Sequence, residues 1–530
     1  MNTCVIITRI ICCVTVLMML CSCSAGDSLP AQSAPSQTEN AATAVNTVCL
    51  PYSKKDSLNP YKAETKQNFE LSKLLFDPLI KLNDSFEPEL FIAEDYQYAD
   101  KKCTVKLKKV KFTDGTVLTA DDVIYSFNAA KESVNYKKQL NSMSASAADG
   151  STVVFTLSYS DPNMINLLDF PIFKSGTADL KDENNRSVPP IGCGRYTLDS
   201  ETQKLTANND YYKNPINAQS ISLIDCPDDD SLAHYSVSGT ISSVYSDMSD
   251  NNVPKKSGEY IKSATTNLVF VGVNCNNSKL SDERVRLALS SAMDRTQISA
   301  EGYYGYAEPA YNVFSPNWSL SNSTQSINFI QNIEQTVAYF DSIGYNDTDS
   351  DGFRLDNNGK RVSYTLMYNE NNTARVATAK LIAAQLKKCG IEIILNGVGY
   401  ADYTQNLSSG NFELYIGEIK LDKSFYILNI LNSTVIAGYP SKAAEQPDSV
   451  QTENNGQNEQ YRQDTAAAMF ANYYSGNTEI EAALSAFAAE MPFIPLCYRC
   501  GVTAVSGWLA PSLKVSVSDI YNGIESYKLG

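Results

Sequence analysis

The stretch from Lys111 to Phe127 predicts a complete strand–turn–helix unit, and it constrains the fold more than any other segment. Asp114-Gly115 is a strong turn signal, because glycine accepts the positive φ that such a turn needs. Thr119 and Asp122 have the spacing of a capping box, in which two free amides at a helix start find partners. The apolar residues that follow at helical spacing are Val123, Phe127 and Ala130.

Further helices are predicted where apolar residues recur at helical spacing and a stop signal follows. Ser281 to Arg295 has an acidic start, which suits the helix dipole, and one apolar face. Two more helices close at Gly344 and Gly390, since glycine accepts the left-handed conformation that ends a helix. Thr478 and Glu481 predict the start of a last helix. Apolar runs between these helices indicate strands. The sequence therefore predicts a chain that contains both helices and strands.

Length and charge limit the class of protein. A chain of 530 residues exceeds one hydrophobic core, so we expect more than one domain. The formal net charge of −16 excludes nucleic acid as the expected partner, because phosphate neutralisation needs a basic surface. The acidity is attributed to solubility.

Residues 1–22 predict a targeting segment. Arg9 precedes an apolar run from Ile10 to Cys21, which is too short to span a bilayer and suits the core of a signal peptide. Leu20-Cys21-Ser22-Cys23 resembles a bacterial lipobox, which makes Cys23 the expected lipid-attachment residue. A plain secretory signal with an accidental cysteine is the alternative. Residues 23–46 are then the lipidated cysteine and a disordered tether rich in small and polar residues.

Nothing in the sequence predicts catalysis or a cofactor. His234 is the only histidine and has no nucleophile motif beside it, so we expect no enzyme and no histidine-based metal site. Eight cysteines follow Cys23, and the expectation is isolated free thiols. Cys497 and Cys500 lie in a strand-like run, where residues three apart point to opposite faces.

The run Asp347-Thr348-Asp349-Ser350-Asp351-Gly352 has oxygen ligands at the first positions of a calcium loop. Asn358 stands where such a loop has its bidentate glutamate. An acidic turn without metal is therefore favoured, weak calcium binding is the alternative, and we assign no metal site.

Several of these segments resemble signatures of the family 5 extracellular solute-binding proteins, the peptide- and nickel-type receptors of ABC importers. Lys111–Phe127 resembles V-K-F-x-D-G-x-x-L-T-A-x-D-V-x-x-S, and Ser281–Arg295 is similar to D-x-R-V-R-Q-A-L-x-x-A-I-D-R. Pro189–Tyr196 looks like P-V-G-T-G-P-Y. The resemblance covers nearly all of residues 47–530 and is weakest over 432–470.

This resemblance implies an α/β fold of the class II, cluster C periplasmic-binding-protein type, with a ligand cleft between two lobes. Lobe I is expected over 47–267, with an inserted subdomain at about 86–188. Lobe II is expected over 268–490, and residues 491–530 return to lobe I. Hinge closure over the ligand is the expected motion.

The resemblance also implies the ligand contacts. In peptide-binding relatives a strand ends in W-x-x-D, whose aspartate pairs with the α-ammonium of a peptide. Asp422 matches that aspartate, whereas Ile419 replaces the tryptophan. Asp422 is therefore the first candidate ligand contact, with a solvated strand-end carboxylate as the alternative. Glu418 and Tyr52 are further candidates on segments expected to face the cleft.

The predicted function is that of a monomeric, lipid-anchored substrate-binding protein on the extracytoplasmic face of a bacterial cell membrane. It would capture a small solute, foremost a short peptide, and deliver it to ABC permease subunits with their ATPases. The alternative is an extracytoplasmic sensor or interaction lipoprotein with the same fold and no import role.

Overall fold

The computed structural model describes residues 46–183, 185, 187–213, 215–248, 252–322, 329–432 and 465–528. The predicted signal peptide, Cys23 and the tether up to residue 45 lie outside these residues, as does most of the stretch 432–470. The described residues belong to one compact unit, Val45–Gly530. The lobe boundaries stay a prediction.

The described strands fall into four sheets. In chain order they are β1 (Cys49–Tyr52), β2 (Ile80–Leu82), β3 (Pro88–Leu90), β4 (Ala93–Ala99), β5 (Lys102–Leu107), β6 (Met143–Asp149), β7 (Thr152–Leu157), β8 (Tyr196–Asp199), β9 (Lys204–Ala207), β10 (Ser220–Asp225), β11 (Ser243–Ser246), β12 (Glu259–Val273), β13 (Ala307–Pro309), β14 (Ser363–Asn369), β15 (Glu392–Val398), β16 (Leu414–Lys420) and β17 (Phe493–Val505).

Helices cover these sheets. The α-helices are α1 (Lys66–Leu75), α2 (Ala120–Glu132), α3 (Lys137–Leu140), α4 (Asp229–Val237), α5 (Glu283–Ser291), α6 (Arg295–Gln297), α7 (Ser319–Asn322), α8 (Ile333–Ser342), α9 (Thr373–Lys387), α10 (Tyr400–Ser409), α11 (Leu428–Leu431), α12 (Ala466–Tyr474) and α13 (Ile480–Glu490). A π-helical turn spans Ile298–Gly302, and 3₁₀ turns span Met164–Leu167, Ala510–Ser512 and Ile524–Ser526.

Three of the sheets belong to the region predicted as lobe I. Their strand orders are β1-β10-β9-β8, β4-β5-β7-β6 and β2-β3. The largest sheet has the order β11-β17-β12-β16-β14-β15, and β13 pairs with β17. Parallel pairs such as β14 with β15 occur beside antiparallel ones such as β12 with β17. The fold is therefore mixed α/β, as the sequence predicts.

The long strands β12 and β17 form a ribbon that crosses the predicted lobe boundary. At one end Glu259 pairs with Val505, and at the other Gly272 pairs with Phe493. The strand β11 pairs with the first end, whereas β16 pairs with β12 from Asn267 to Val273. The boundary predicted at 267/268 thus falls inside a continuous strand, so any hinge there bends a two-stranded ribbon.

The predicted strand–turn–helix unit is confirmed. Gly115 has a φ of 85°, and Asp114 accepts a hydrogen bond from the Thr116 amide at 3.0 Å. The Asp122 carboxylate accepts from the Thr119 amide at 2.8 Å and from the Thr119 hydroxyl at 2.9 Å. This carboxylate closes the start of α2.

Two predicted helix boundaries are wrong. The helix expected to reach Arg295 ends at Ser291, and Ala292 and Met293 are buried in the turn that follows it. The last helix begins at Ile480 behind Glu479, whose side chain makes no capping bond. An apolar pattern indicates which residues are buried. Apolar residues in a buried turn after a helix extend that pattern, so the pattern does not show where the helix ends.

The C-terminal segment is fastened to the first part of the chain by a buried ionic network around Arg195. Arg195 is 2% exposed and lies 2.6 Å from Asp519 and 2.6 Å from Glu525. Lys81 lies 2.9 Å from Asp519 and 3.3 Å from Asp77. These contacts are consistent with the predicted return of residues 491–530 to lobe I.

The eight cysteines of the described residues are all free. Cys497 and Cys500 occupy one strand and form no disulfide. Cys500 lines a cavity of about 320 Å³, together with residues that include Asp84, Lys262 and Glu308.

Candidate ligand-binding site

The strand β16 carries Glu418, and the chain that continues it carries Asp422 two residues after its end. Its pairing with β12 ends at Lys420, and the next amide, that of Leu421, donates to the Thr266 carbonyl at 3.0 Å. Residues at i, i+2 and i+4 line one face of an extended strand. Glu418, Lys420 and Asp422 therefore share a face of this strand.

Asp422 lies in a protein-lined site, not on a solvated strand end. Its Oδ1 accepts hydrogen bonds from the Ser424 hydroxyl at 2.9 Å and from the Tyr426 amide at 3.1 Å. Burial raises the pKa of Asp422 although both of these bonds oppose the shift. The turn that begins here therefore fixes one carboxylate oxygen of Asp422 in place.

A second carboxylate, Asp161, belongs to the same site. Asp161 is fully buried; its Oδ1 accepts from the Asn163 amide at 2.9 Å, while its Oδ2 has no hydrogen-bond partner within the described residues. Burial, together with the charge of Asp422, raises the pKa of Asp161 to about 7, although hydrogen bonding from Ser424 and from the Asn163 amide opposes the shift. Two carboxylates in one buried site repel each other, so the site favours a cation.

Tyrosine rings wall this acidic site. The rings of Tyr159 and Tyr426 stack at 4.1 Å between centroids, and the Tyr474 ring lies 4.5 Å from that of Tyr426. The Tyr98 hydroxyl accepts from the Asp161 amide at 3.1 Å. The ring faces are electron-rich, which again favours a positively charged group.

The acidic site lies where two distant parts of the chain meet. The Lys138 ammonium donates to the Lys420 carbonyl at 3.4 Å, and the Asn166 amide donates to the Lys423 carbonyl at 3.2 Å. Lys423 also forms an ion pair with Asp169. Segment 138–169 of predicted lobe I thus contacts the end of β16 in predicted lobe II.

Glu418 contacts arginines of its own region of the fold. Arg499 on β17 lies 3.3 Å from Oε1 of Glu418, and Arg375 on α9 lies 3.9 Å from its Oε2. Glu418 is therefore neutralised by protein groups, whereas Asp422 faces another carboxylate. The candidates Glu418 and Asp422 are close along the chain, but Glu418 lies beside positive charge and Asp422 beside negative charge.

Tyr52 is not brought to these residues. It ends β1, in the sheet β1-β10-β9-β8, and its hydroxyl donates to Gln203 in the hairpin between β8 and β9. Among the described contacts none joins Tyr52 to Glu418 or Asp422. Its position favours a packing role.

Sequence reasoning missed Asp161 and Tyr159. They stand in Tyr159-Ser160-Asp161-Pro162, whose Asp-Pro pair reads as an ordinary turn. More than 250 residues separate Asp161 from Asp422, and nothing local to either indicates the pairing. Only the tertiary contact between the two segments reveals it.

The acidic loop at 347–351 holds a guanidinium. Arg361 forms ion pairs with Asp349 and Asp351, and it lies 3.0 Å from Glu392. Within the part of the chain that the structure describes, no cluster of three acidic, histidine or cysteine side chains is arranged for a metal. His234 is exposed on α4, beside the Tyr235 ring.

Among the described residues, no helix has both the length and the apolar character needed to cross a bilayer. This applies only to the ranges given above, which begin at residue 46.

Comparison with known proteins identifies the fold and the family. Residues 87–435 match the family model described as "Bacterial extracellular solute-binding proteins, family 5 Middle". The oligopeptide-binding protein AppA of Bacillus subtilis (strain 168) is 29% identical over 367 residues, which are 65% of this chain and 67% of AppA.

Two solved structures share the architecture. The unliganded open form of MppA, a periplasmic murein tripeptide-binding protein, superposes with a TM-score of 0.67 at 19% identity, over 88% of this chain and 94% of that one. NikA from Brucella suis in complex with Fe(III)-EDTA superposes with a TM-score of 0.62 at 18% identity, over 91% of this chain and 100% of that one. These matches confirm the cluster C periplasmic-binding-protein fold.

Members of this family bind solutes and do not transform them, which agrees with the prediction that the chain is not an enzyme. The chain belongs to the family 5 extracellular solute-binding proteins, which bind small solutes for ABC transporters.

Proposed function

We propose that the protein captures short peptides and passes them to the permease subunits of an ABC importer. The observation that carries this proposal is the pair of the buried Asp161 and the half-buried Asp422, each with a raised pKa and together walled by tyrosines. The first oxygen of each carboxylate is fixed by the protein, and Oδ2 of Asp161 has no partner within the described residues.

A peptide α-ammonium fits this site. It supplies one positive charge and three donors, so it relieves the repulsion between the two carboxylates and satisfies their open oxygens. A buried carboxylate without a counter-charge costs several kcal/mol, and a ligand that pairs with it recovers part of that cost. The 29% identity to an oligopeptide-binding protein supports the same cargo.

The cargo can be tested on protein purified without refolding. We expect mass spectrometry under native conditions to find peptides of a few residues bound to the chain, and acid treatment to release them. Acid should release them because protonation of Asp161 and Asp422 removes the charge that holds an ammonium. Repeated isolation of the chain free of peptide, in complex with another protein, would contradict the proposal and support the sensor function.

We further propose that Cys23 carries lipid and anchors the protein to the outer face of the cell membrane. The support is the Leu20-Cys21-Ser22-Cys23 pattern and the polar tether after it. Stable anchoring requires at least two acyl chains, because one chain binds membranes only marginally. An anchored receptor stays close to the permeases that accept its cargo.

Replacing Cys23 with alanine tests the anchor. We expect Cys23→Ala to move the protein from the detergent phase to the aqueous phase in a phase-separation assay. Cys49→Ala is the matched control and should leave the protein in the detergent phase, because Cys49 lies in β1 of the folded part. Retention of the Cys23→Ala variant in the detergent phase would refute the anchor.

A further inference from the structure

A cavity of about 450 Å³ lies in the region predicted as lobe II, and none of its described lining residues belongs to the acidic site. The lining includes two charged side chains and three large apolar or aromatic ones, namely Asp294, Arg295, Tyr311, Phe329 and Ile330. Small-molecule sites in proteins typically have volumes of roughly 300–1,000 Å³. The cavity is therefore large enough for a small ligand, and its lining offers a cation, an anion and an apolar surface.

Hydrogen bonds between separate segments fix the walls of this cavity. The Phe329 amide donates to the Tyr311 carbonyl at 2.6 Å, which joins the two segments that carry the aromatic rings. The Asp294 amide donates to the side-chain oxygen of Gln385 on α9 at 3.0 Å. The charged and the aromatic parts of the lining are therefore held in place by the fold.

Arg295 is a buried cation without a counter-charge. It is 2% exposed and forms no ion pair with a described residue, and burial lowers its pKa to about 9. Its Nε and Nη1 donate to backbone carbonyls, and its Nη2 donates to the Ser290 hydroxyl at 2.8 Å. Of the five N–H groups of the guanidinium, one on Nη2 is therefore left without a described partner. A buried charge without a counter-ion is costly, so an anion in the cavity would stabilise Arg295.

The Arg295 guanidinium lies beside the aromatic part of the lining. Its central carbon is 5.4 Å from the centre of the Phe329 ring, and its Nη1 donates to the Phe329 carbonyl at 3.2 Å. The Tyr311 hydroxyl is close enough to interact electrostatically with Arg295. A ligand in the cavity would therefore have the cation and both rings as neighbours.

Asp294 places a negative charge on the same lining. Its Oδ1 accepts from the Gln297 amide at 2.9 Å, whereas no described residue donates to its Oδ2. Asp294 and Arg295 are consecutive in the chain, yet within the described structure they form no ion pair with each other. The lining therefore carries one positive and one negative charge that do not neutralise each other.

Two of the large side chains at the cavity expose apolar surface. Ile330 is 68% exposed and Tyr311 is 37% exposed, whereas Phe329 is 8% exposed. Removing apolar surface from water is favourable by about 25 cal/mol per Å². An apolar group bound in the cavity would therefore be stabilised by covering these side chains.

We propose that this cavity binds a free α-amino acid with an apolar side chain. The ligand carboxylate would accept from the open N–H of Arg295, and the ligand ammonium would donate to Oδ2 of Asp294. The ligand side chain would cover Tyr311, Phe329 and Ile330. A simple anion or cation would meet only one of the two charges, and a polar side chain would leave the apolar surface in water. The inference is independent of the proposed peptide capture, because the two sites have no described residue in common.

Calorimetric titration of the full chain with leucine tests the cavity. Two analogues each lack one charge, because leucinamide has no carboxylate and 4-methylpentanoate has no ammonium. The titrations use the Asp422→Asn variant, in which the ammonium site proposed for peptides is weakened. We expect one leucine to bind per chain and each analogue to bind at least about tenfold more weakly, because each analogue leaves one charge of the cavity without its partner.

A second substitution, Asp294→Asn, isolates the contribution of the cavity carboxylate. Asparagine can still accept from the Gln297 amide, so the local turn should persist. Without the negative charge, the affinities for leucine and 4-methylpentanoate should differ by less than about twofold. Asp282→Asn is the matched control, because Asp282 accepts from the Arg284 amide at 2.9 Å in the same way and is not among the described lining residues.

Other results would overturn the inference. Equal affinities for leucine and leucinamide would show that no carboxylate is recognised, and equal affinities for leucine and 4-methylpentanoate with Asp294 intact would show that no ammonium is recognised. Ile330→Glu changes an exposed side chain at the cavity and should weaken leucine binding, so an unchanged affinity would place leucine elsewhere. Failure of leucine to bind would refute this inference alone, since mass spectrometry of the purified protein decides the peptide proposal separately.

Discussion

Replacing Arg195 with methionine should lower the free energy of unfolding by about 3–5 kcal/mol, because it leaves buried charges uncompensated. Arg195 bridges Asp519 and Glu525, and it also donates to the Tyr521 carbonyl at 3.2 Å. Asp519 is fully buried, and its remaining ion pair would be the one with Lys81, at 2.9 Å. The C-terminal segment should therefore loosen from the first part of the chain.

Urea denaturation of the variant and of Arg284→Met measures this effect. Arg284 pairs with Asp282 at 2.7 Å but is 67% exposed, so solvent screens the pair and its loss should leave stability nearly unchanged. Equal stabilities of the two variants would contradict the argument. Arg195→Lys should fall between the unaltered protein and the methionine variant, since lysine keeps the charge but cannot bridge both carboxylates in the same way.

The loss should also depend on pH. Desolvation raises the pKa of Asp519, but the charge of Arg195 and then that of Lys81 oppose this and hold it down at about 2. A carboxylate whose folded pKa is depressed stabilises the fold above its unfolded pKa of about 4, and this contribution disappears as the pH falls toward 2. The difference between Arg195→Met and the unaltered protein should therefore be largest near neutral pH and shrink below pH 4.

Replacing Asp422 with asparagine should weaken peptide binding by about 30-fold or more, the effect of removing one partner from a buried, hydrogen-bonded charge pair. The asparagine oxygen can still accept from the Ser424 hydroxyl and the Tyr426 amide, so the turn should persist. The ligand-free protein should become more stable, because the repulsion of Asp161 is removed. Binding and stability are expected to change in opposite directions.

Calorimetric titration and thermal unfolding test this pair of effects together. Asp210→Asn, which changes an exposed carboxylate, should alter neither property. A variant of Asp422 that loses stability and affinity together would indicate a merely structural role. Unchanged affinity would remove Asp422 from the binding site.

The pH profile of binding should follow Asp161. Its folded pKa of about 7 lies above its unfolded value, so between about pH 4 and 7 the fold holds a proton that the unfolded chain releases. An ammonium requires the ionised form, and affinity should therefore fall about tenfold from pH 7 to 5.5. The groups that face Asp161 include Asp422 and Ser424, Tyr98, and the tyrosines of the site wall, Tyr159, Tyr426 and Tyr474.

Asparagine at position 161 should flatten that profile. The ligand-free Asp161→Asn variant should be more stable than the unaltered protein above pH 7, where the aspartate would be buried and charged. An unchanged slope in this variant would assign the pH dependence to another group.

The sequence determined those features that depend on neighbours along the chain. The turn at Asp114-Gly115, the cap at Thr119 and Asp122, and the helix ends at Gly344 and Gly390 each follow from local sterics and hydrogen bonds. It also identified the family, because those local units recur in a recognisable order.

Other features depend on which parts of the chain approach each other in the fold. An added Cβ at Gly192 or Gly194 would lie 2.1 or 2.4 Å from the backbone of Leu75. The constraint is the close approach of α1, and a sequence alone does not show which backbone approaches a glycine. The surroundings of Tyr52 are also set by the fold, which bonds its hydroxyl to Gln203.

The electrostatics of the site depended on the tertiary structure alone. Asp422 follows from its motif, but its partner Asp161 and the tyrosines around them come from segments far apart in the chain. Burial and charge proximity decide whether a carboxylate or guanidinium needs a ligand. Burial and charge proximity are both properties of the folded chain. The sequence alone therefore identifies the family, whereas only the tertiary structure shows where the charged groups of the ligand would bind.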